Sequence, residues 1–179
     1  MQFLPTELAG VVVIEPKAYE DERGFFMETF HRQKFAVAGI DVEFVQDNHS
    51  RSRAGVLRGL HYQLAHPQGK LVRAIRGTVF DVAVDLRRSS ATFGHWYGCE
   101  LTEANRRQMY IPPGFAHGFC VTSDAAEVVY KCTALYHPED ERTLLWSDPA
   151  LGIRWPVASP VVSAKDARGV PLARAECFA

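Results

Sequence analysis

Short β-type segments, each a few residues long and each ended by glycine, proline or asparagine, recur along most of this chain. This punctuation limits the fold more than any other feature, because it leaves little room for long helices. Val11–Ile14 stops at Pro16, and Glu43–Gln46 and Val56–Gln63 follow. The clearest segment is Gly77–Leu86, where Phe80, Val82, Val84 and Leu86 share one face and Asp81 and Asp85 fall on the other. Trp96–Leu101, Gln108–Ile111, Gly118–Val121 and Glu127–Thr133 continue the series. Strands spaced this way read as an antiparallel sandwich or barrel. A mainly β jelly roll is the favoured architecture, since it uses many short strands and holds a pocket between its sheets. Helices are few: Phe30–Ala38 ends before Gly39, and Ser163 caps a short turn of helix near Lys165 and Asp166.

Composition sets the outer bounds. A chain of 179 residues, 47 % of them hydrophobic and 23 % charged, supports one packed domain over residues 1–179 and excludes a disordered polymer. Its 20 Lys+Arg against 21 Asp+Glu leave a net charge of −1, which gives no footprint for nucleic acid or an anionic membrane. No apolar run approaches the roughly 20 residues of a membrane span. The opening residues lack the basic and apolar blocks of a signal peptide, and Cys99, Cys120, Cys132 and Cys177 show no C-x-x-C spacing. The expectation is a cytoplasmic protein with reduced thiols.

Three segments carry chemistry. In Arg58-Gly59-Leu60-His61-Tyr62-Gln63, a regular strand puts His61 and Gln63 on one face. Arg58 then falls on the opposite face, within reach of His61 only if the strand twists or bulges. In Ile111-Pro112-Pro113-Gly114-Phe115-Ala116-His117, the prolines and glycine account for a tight turn but do not call for His117. In Val128-Val129-Tyr130-Lys131-Cys132, Tyr130 shares a face with Val128 and Cys132, where a tyrosine is ordinarily core.

In this order the segments resemble the two sequence boxes of a cupin jelly roll. Pro112-x-Gly114-x-x-His117 fits the second box, but Gln63 stands where a metal-binding first box has its second histidine, and Lys70 lies near the expected carboxylate. An ammonium repels a cation and cannot ligate it, so a metal-dependent oxygenase is disfavoured on chemistry. What remains is a pocket suited to taking a proton from carbon next to a carbonyl. A neutral His61 accepts the proton, Lys70 stabilises the enolate oxygen, and Tyr130 returns a proton from the other side. A carboxylate on the second imidazole nitrogen would fix the tautomer, and spacing does not choose among Asp81, Asp85 and Asp166. Two guanidinium groups could hold a diphosphate beside the reacting centre.

Eight motifs together carry a closer resemblance. They are Asp21–Phe26, Gln46–Ser50, Val56–Gln63, Gln68–Arg73, Gly77–Asp85, Ile111–Phe119, Tyr130-Lys131 and Trp146–Pro156. In residues and order this series, from about residue 8 to residue 172, resembles the dTDP-4-dehydrorhamnose 3,5-epimerases. The resemblance implies epimerisation at C3 and C5 of dTDP-4-dehydro-6-deoxy-D-glucose, on a cupin-like jelly roll, with no metal and no organic cofactor. It implies His61 as base, Asp166 as its partner, Tyr130 as acid and Lys70 at the ketone oxygen. Arg23, Glu28, Gln46, Asn48 and Arg58 match nucleotide- and diphosphate-binding positions, and His117, Glu141 and Lys165 match further substrate contacts. It also implies a homodimer, with the N-terminal strands at about 8–16 in the interface.

One position departs from the family pattern: Leu135 stands before Tyr136, where two adjacent tyrosines are common. The alternatives are an enzyme that inverts one centre only, and a non-catalytic cupin that binds a sugar nucleotide. His31, His49, His66, His95, His137 and the four cysteines are read as structural or surface residues.

Overall fold

The computed structural model describes residues 1–179. Two antiparallel sheets face each other. In chain order their strands are β1 Gln2–Pro5, β2 Val12–Glu15, β5 Gln46–Arg53, β6 Leu57–Gln63, β7 Lys70–Arg76, β8 Thr78–Asp85, β9 Trp96–Thr102, β10 Gln108–Ile111, β11 Phe115–Val121, β12 Ala125–Cys132 and β13 Glu141–Thr143. β3 Ala18–Asp21 and β4 Gly24–Met27 form a separate hairpin. The six-stranded sheet runs β1-β2-β10-β7-β12-β5 and the five-stranded sheet runs β13-β6-β11-β8-β9. This is the mainly β jelly roll expected from the strand punctuation. No helix is long and apolar enough to cross a membrane.

Three clusters hold the sheets in place. Between the sheets, Val72, Val79, Leu101, Met109 and Val128 pack with their neighbours in the largest. On the outer face of the six-stranded sheet the helix α1, Arg32–Val37, inserts Phe35 against Ile14, Leu71 and Tyr110. Phe3 and Phe30 meet the Phe35 ring edge-on at 5.1 and 4.8 Å. Removing that fully buried ring is expected to cost about 3–5 kcal/mol. The helix ends at Ala38, and Gly39 takes the positive φ of +85° that a helix stop favours.

The third cluster covers the outer side of β8. The alternation holds and both faces are covered: Val79, Asp81, Val82, Ala83, Val84 and Asp85 are all fully buried. Val82 and Val84 pack outward under Leu144, Leu151 and Ala175 from the C-terminal segment. The carboxylates face the interior, where each has partners. Arg87, Ser90 and Thr92 bond Asp85 at 2.6–3.0 Å. His117 holds Asp81 at 3.0 Å.

One further expectation shifts. Residues 41–45 are irregular, and the strand expected at Glu43–Gln46 begins only at Gln46. β5 was hidden because its sequence, Gln-Asp-Asn-His-Ser-Arg-Ser-Arg, has no apolar residue to alternate. A charged edge strand of this kind also discourages pairing with other chains. β2 is an inner strand whose Val11, Val13 and Ile14 neighbourhood is already buried within the chain. β1, paired to it, forms the edge of the six-stranded sheet on this side.

Candidate active site

The site is built from one wall of each sheet. In the five-stranded sheet, His61 of β6 pairs directly with His117 of β11. The register of this pair slips between His117 and Phe119: Phe119 faces Arg58, so β6 uses three residues where β11 uses two. That bulge turns Arg58 onto the same cavity as His61, which a regular strand would have prevented. Gly59 makes it possible. Its φ is +123°, and a Cβ there would lie 2.6 Å from the Gly118 Cα and 2.8 Å from the His117 carbonyl oxygen.

In the six-stranded sheet, β7 and β12 bring Lys70 opposite Cys132 and Tyr130 opposite Val72. Lys70 and Tyr130 thus lie on the interior face, across a cavity of about 540 Å³ from His61, His117 and Asp166. Asp166 enters from the C-terminal segment. Its backbone N–H donates to Ser163 Oγ at 3.1 Å, closing the short turn, and its Oδ1 lies 2.6 Å from His61 Nε2. The three-way choice of carboxylate is therefore made by the fold: Asp166 serves His61, Asp81 serves His117 and Asp85 serves Arg87.

The protonation pattern follows from these contacts. Burial pushes the Asp166 carboxyl upward, but the hydrogen bond and charge of His61, with Ser163 and the Gly59 N–H, outweigh it and hold the group below its usual range. An ionised Asp166 accepts a hydrogen bond from the Nε2–H of His61, which leaves Nδ1 with the free lone pair. Glu141 Oε1 stands 4.0 Å from that Nδ1. Burial also raises the Glu141 carboxyl, and Lys165 at 2.6 Å, His61 and Tyr136 at 2.9 Å together bring it below normal. His117 is drawn down by burial, only partly opposed by Asp81, and stays neutral near pH 7. Desolvation lowers Lys70 and raises Tyr130, the latter remaining a phenol well above neutrality.

The arrangement can take a proton at His61 Nδ1, hold a developing oxyanion at Lys70 and deliver a proton from Tyr130. Gln63 is committed elsewhere: its amide donates to the His66 and Leu135 carbonyls at 2.7 and 3.1 Å and accepts from the His137 N–H at 2.8 Å. No three His, Cys, Asp or Glu side chains are grouped to hold a metal ion.

The family model described as dTDP-4-dehydrorhamnose 3,5-epimerase matches residues 5–174 of the chain. The chain belongs to that family. A Shigella flexneri dTDP-4-dehydrorhamnose 3,5-epimerase is 56% identical over 180 residues, covering 99% of both chains. The crystal structure of the Legionella pneumophila 3,5-epimerase in complex with dTDP-4-keto-L-rhamnose superposes with a TM-score of 0.95 at 50% identity, covering 98% of this chain and 94% of that one. A Streptomyces niveus relative named as a 3-epimerase is 40% identical over 98% of this chain and 86% of its own.

Not every residue singled out from the sequence reaches the cavity. Arg58, His61, Lys70, His117, Tyr130, Lys165 and Asp166 line it, and Glu141 sits behind Lys165 and His61. Gln46 and Asn48 lie along the inward side of β5, joined by a 3.1 Å hydrogen bond, and neither is among the residues that line the cavity. Arg23 and Glu28 lie elsewhere. The first sits in the β3–β4 hairpin turn bound to Asp21, the second just past β4 bound to Lys34 at 2.7 Å. Two epimerase-site neighbours escaped the sequence reading. Asp81 was seen only as a rival for His61, and Tyr136 only as a flank of Leu135; nothing in their spacing announces His117 or Glu141 as the partner.

Proposed function

We propose that this chain is an isomerase of dTDP-rhamnose biosynthesis, a single jelly-roll domain that epimerises C3 and C5 of dTDP-4-dehydro-6-deoxy-D-glucose to give dTDP-4-dehydro-L-rhamnose. One observation carries the reading: a carboxylate-held histidine faces a lysine and a tyrosine across one cavity. Both reacting carbons flank the C4 ketone. His61 Nδ1 removes the carbon-bound proton, and the C4 oxygen gains negative charge against the Lys70 ammonium. Asp166 and Glu141 favour the imidazolium that forms. Tyr130 then protonates the carbon from the opposite face, which inverts it. None of these steps calls on a metal or an organic cofactor.

Arg58 and Lys165 suit the diphosphate, with His117 as a further contact. Gln46 and Asn48 suit the nucleoside side of the ligand. Arg23 and Glu28 fit this scheme only through a second copy. Their hairpin exposes Phe25 and Phe26, at 57% and 72% relative accessibility, so a homodimer in which it serves the partner's cavity accounts for both features.

Incubation with the 4-keto sugar nucleotide in deuterium oxide tests the reading. Deuterium is expected at both C3 and C5, and His61→Ala is expected to lower both exchanges by at least ~10³-fold. Label at one carbon would make the chain a mono-epimerase. Absence of label with the wild type would leave only a binding role.

A further inference from the structure

The cations around the cavity are not equally neutralised. Lys165 is paired with Glu141 at 2.6 Å, and on the outer side of β5 and β12 Lys131 is paired with Asp47 at 3.0 Å. Arg51 and Arg76 approach Glu127 at 4.0 and 3.8 Å. Arg53 and Arg58 are different. Arg58 donates only to the Ser52 hydroxyl at 2.9 Å and to the Arg51 carbonyl at 3.5 Å, both neutral acceptors. Arg53 makes no ion pair, yet it lines the same cavity.

Strict alternation would send Arg53 outward with Asp47, His49 and Arg51. It is the last residue of β5, where the chain turns towards β6, so the two guanidinium groups flank the short crossing between the sheets. Beside them Ser50 lines the cavity, and its Oγ is buried with no hydrogen-bond partner. A buried unpaired hydroxyl and two uncompensated guanidinium groups on one concave wall form a site that an anion would complete. The Ser52 contact fixes the Arg58 fork from the facing sheet, so that half of the site is preorganised.

We propose that Arg53 and Ser50 are ligand-binding residues of this cavity: Arg53 supplies a second guanidinium from the same chain to the diphosphate, and Ser50 supplies a hydroxyl donor. Ser52 is a positioning residue that aims Arg58. The proposal rests on the nucleotide-sugar reading given above and adds residues to it.

Calorimetric titration with dTDP and with thymidine, which lacks phosphate, provides the test. Arg53→Gln is expected to weaken dTDP by about tenfold and to leave thymidine unchanged, with Arg53→Lys recovering part of the loss. Ser50→Ala is expected to weaken dTDP about threefold without lowering the melting temperature, because it removes a hydroxyl that bonds nothing in the free protein. In turnover the Arg53→Gln loss should appear in KM. Ser52→Ala should weaken dTDP while Ser52→Thr restores it. Wild-type protein that binds dTDP no better than Arg53→Gln does would overturn the proposal while leaving the epimerase reading intact. Wild-type protein that fails to bind dTDP would overturn both.

Discussion

The two walls of the cavity handle their titratable groups in opposite ways. On the five-stranded sheet His61 leans on Asp166 at 2.6 Å and His117 on Asp81 at 3.0 Å, so each imidazole is oriented by a carboxylate. On the six-stranded sheet neither Lys70 nor Tyr130 is hydrogen-bonded to a carboxylate; desolvation dominates both, drawing the ammonium down against the more distant charges of Glu141 and Asp81 and pushing the phenol up. The contrast fits the roles proposed for the two walls. A base that gains positive charge benefits from a fixed tautomer and an anion behind it. A group that must meet a developing oxyanion is strongest when nothing else competes for its charge. A carboxylate in direct contact with Lys70 would compete with the enolate oxygen for the ammonium in the proposed scheme.

Three experiments test this contrast. The largest effect is expected from Lys70→Met, which keeps the apolar stem and removes the charge. It should lower kcat by about 10²–10³-fold, the range for loss of one preorganised oxyanion contact. Because burial lowers the Lys70 pKa, the wild-type rate should decline on the alkaline side at a pH below the ordinary lysine value of 10.5. The raised Tyr130 phenol stays protonated through that decline. The variant should lose the alkaline limb together with the rate. An unchanged limb in Lys70→Met would assign it to another group and would remove Lys70 from the unsupported wall.

Tyr130→Phe comes next. The base wall is untouched, so deuterium exchange should persist while formation of the inverted product falls by about 10²-fold. A proportional fall in both would mean that the walls do not act separately. The smallest effect is expected from Ser163→Ala, which removes the acceptor that anchors the Asp166 turn. A lost cap of this type costs about 1 kcal/mol, and if it appears as misplacement of Asp166 the rate should fall about fivefold. The alkaline limb should stay in place, because Lys70 on the acid wall does not depend on that turn.

Much of the fold was legible because strand punctuation and alternation are local properties. β8, β10 and the helix ending before Gly39 follow from them within a residue or two. β5 was not legible, since a strand of polar residues on a sheet edge has no apolar period to read. The site was legible in its residue types: His61, Lys70, Tyr130 and His117 stand in motifs that resemble the family, and the structure gathers them around one cavity. Its wiring was not. Arg58 reaches the cavity only because a bulge at Gly59 breaks the period of two, and a bulge depends on the neighbouring strand.

The order of residues was enough to indicate a near-neutral, mainly β protein with the motifs of the epimerase family. Those conclusions rest on charge, periodicity and side-chain chemistry, which the order of residues carries directly. Folding selects which of three aspartates holds His61, and within one chain it brings Arg53 to Arg58 at the cavity while leaving Arg23 and Glu28 outside it. Each of these depends on how two sheets and a C-terminal turn meet. Contacts between segments distant in the chain are set by packing and register, and a one-residue slip in either redirects a side chain to the other face.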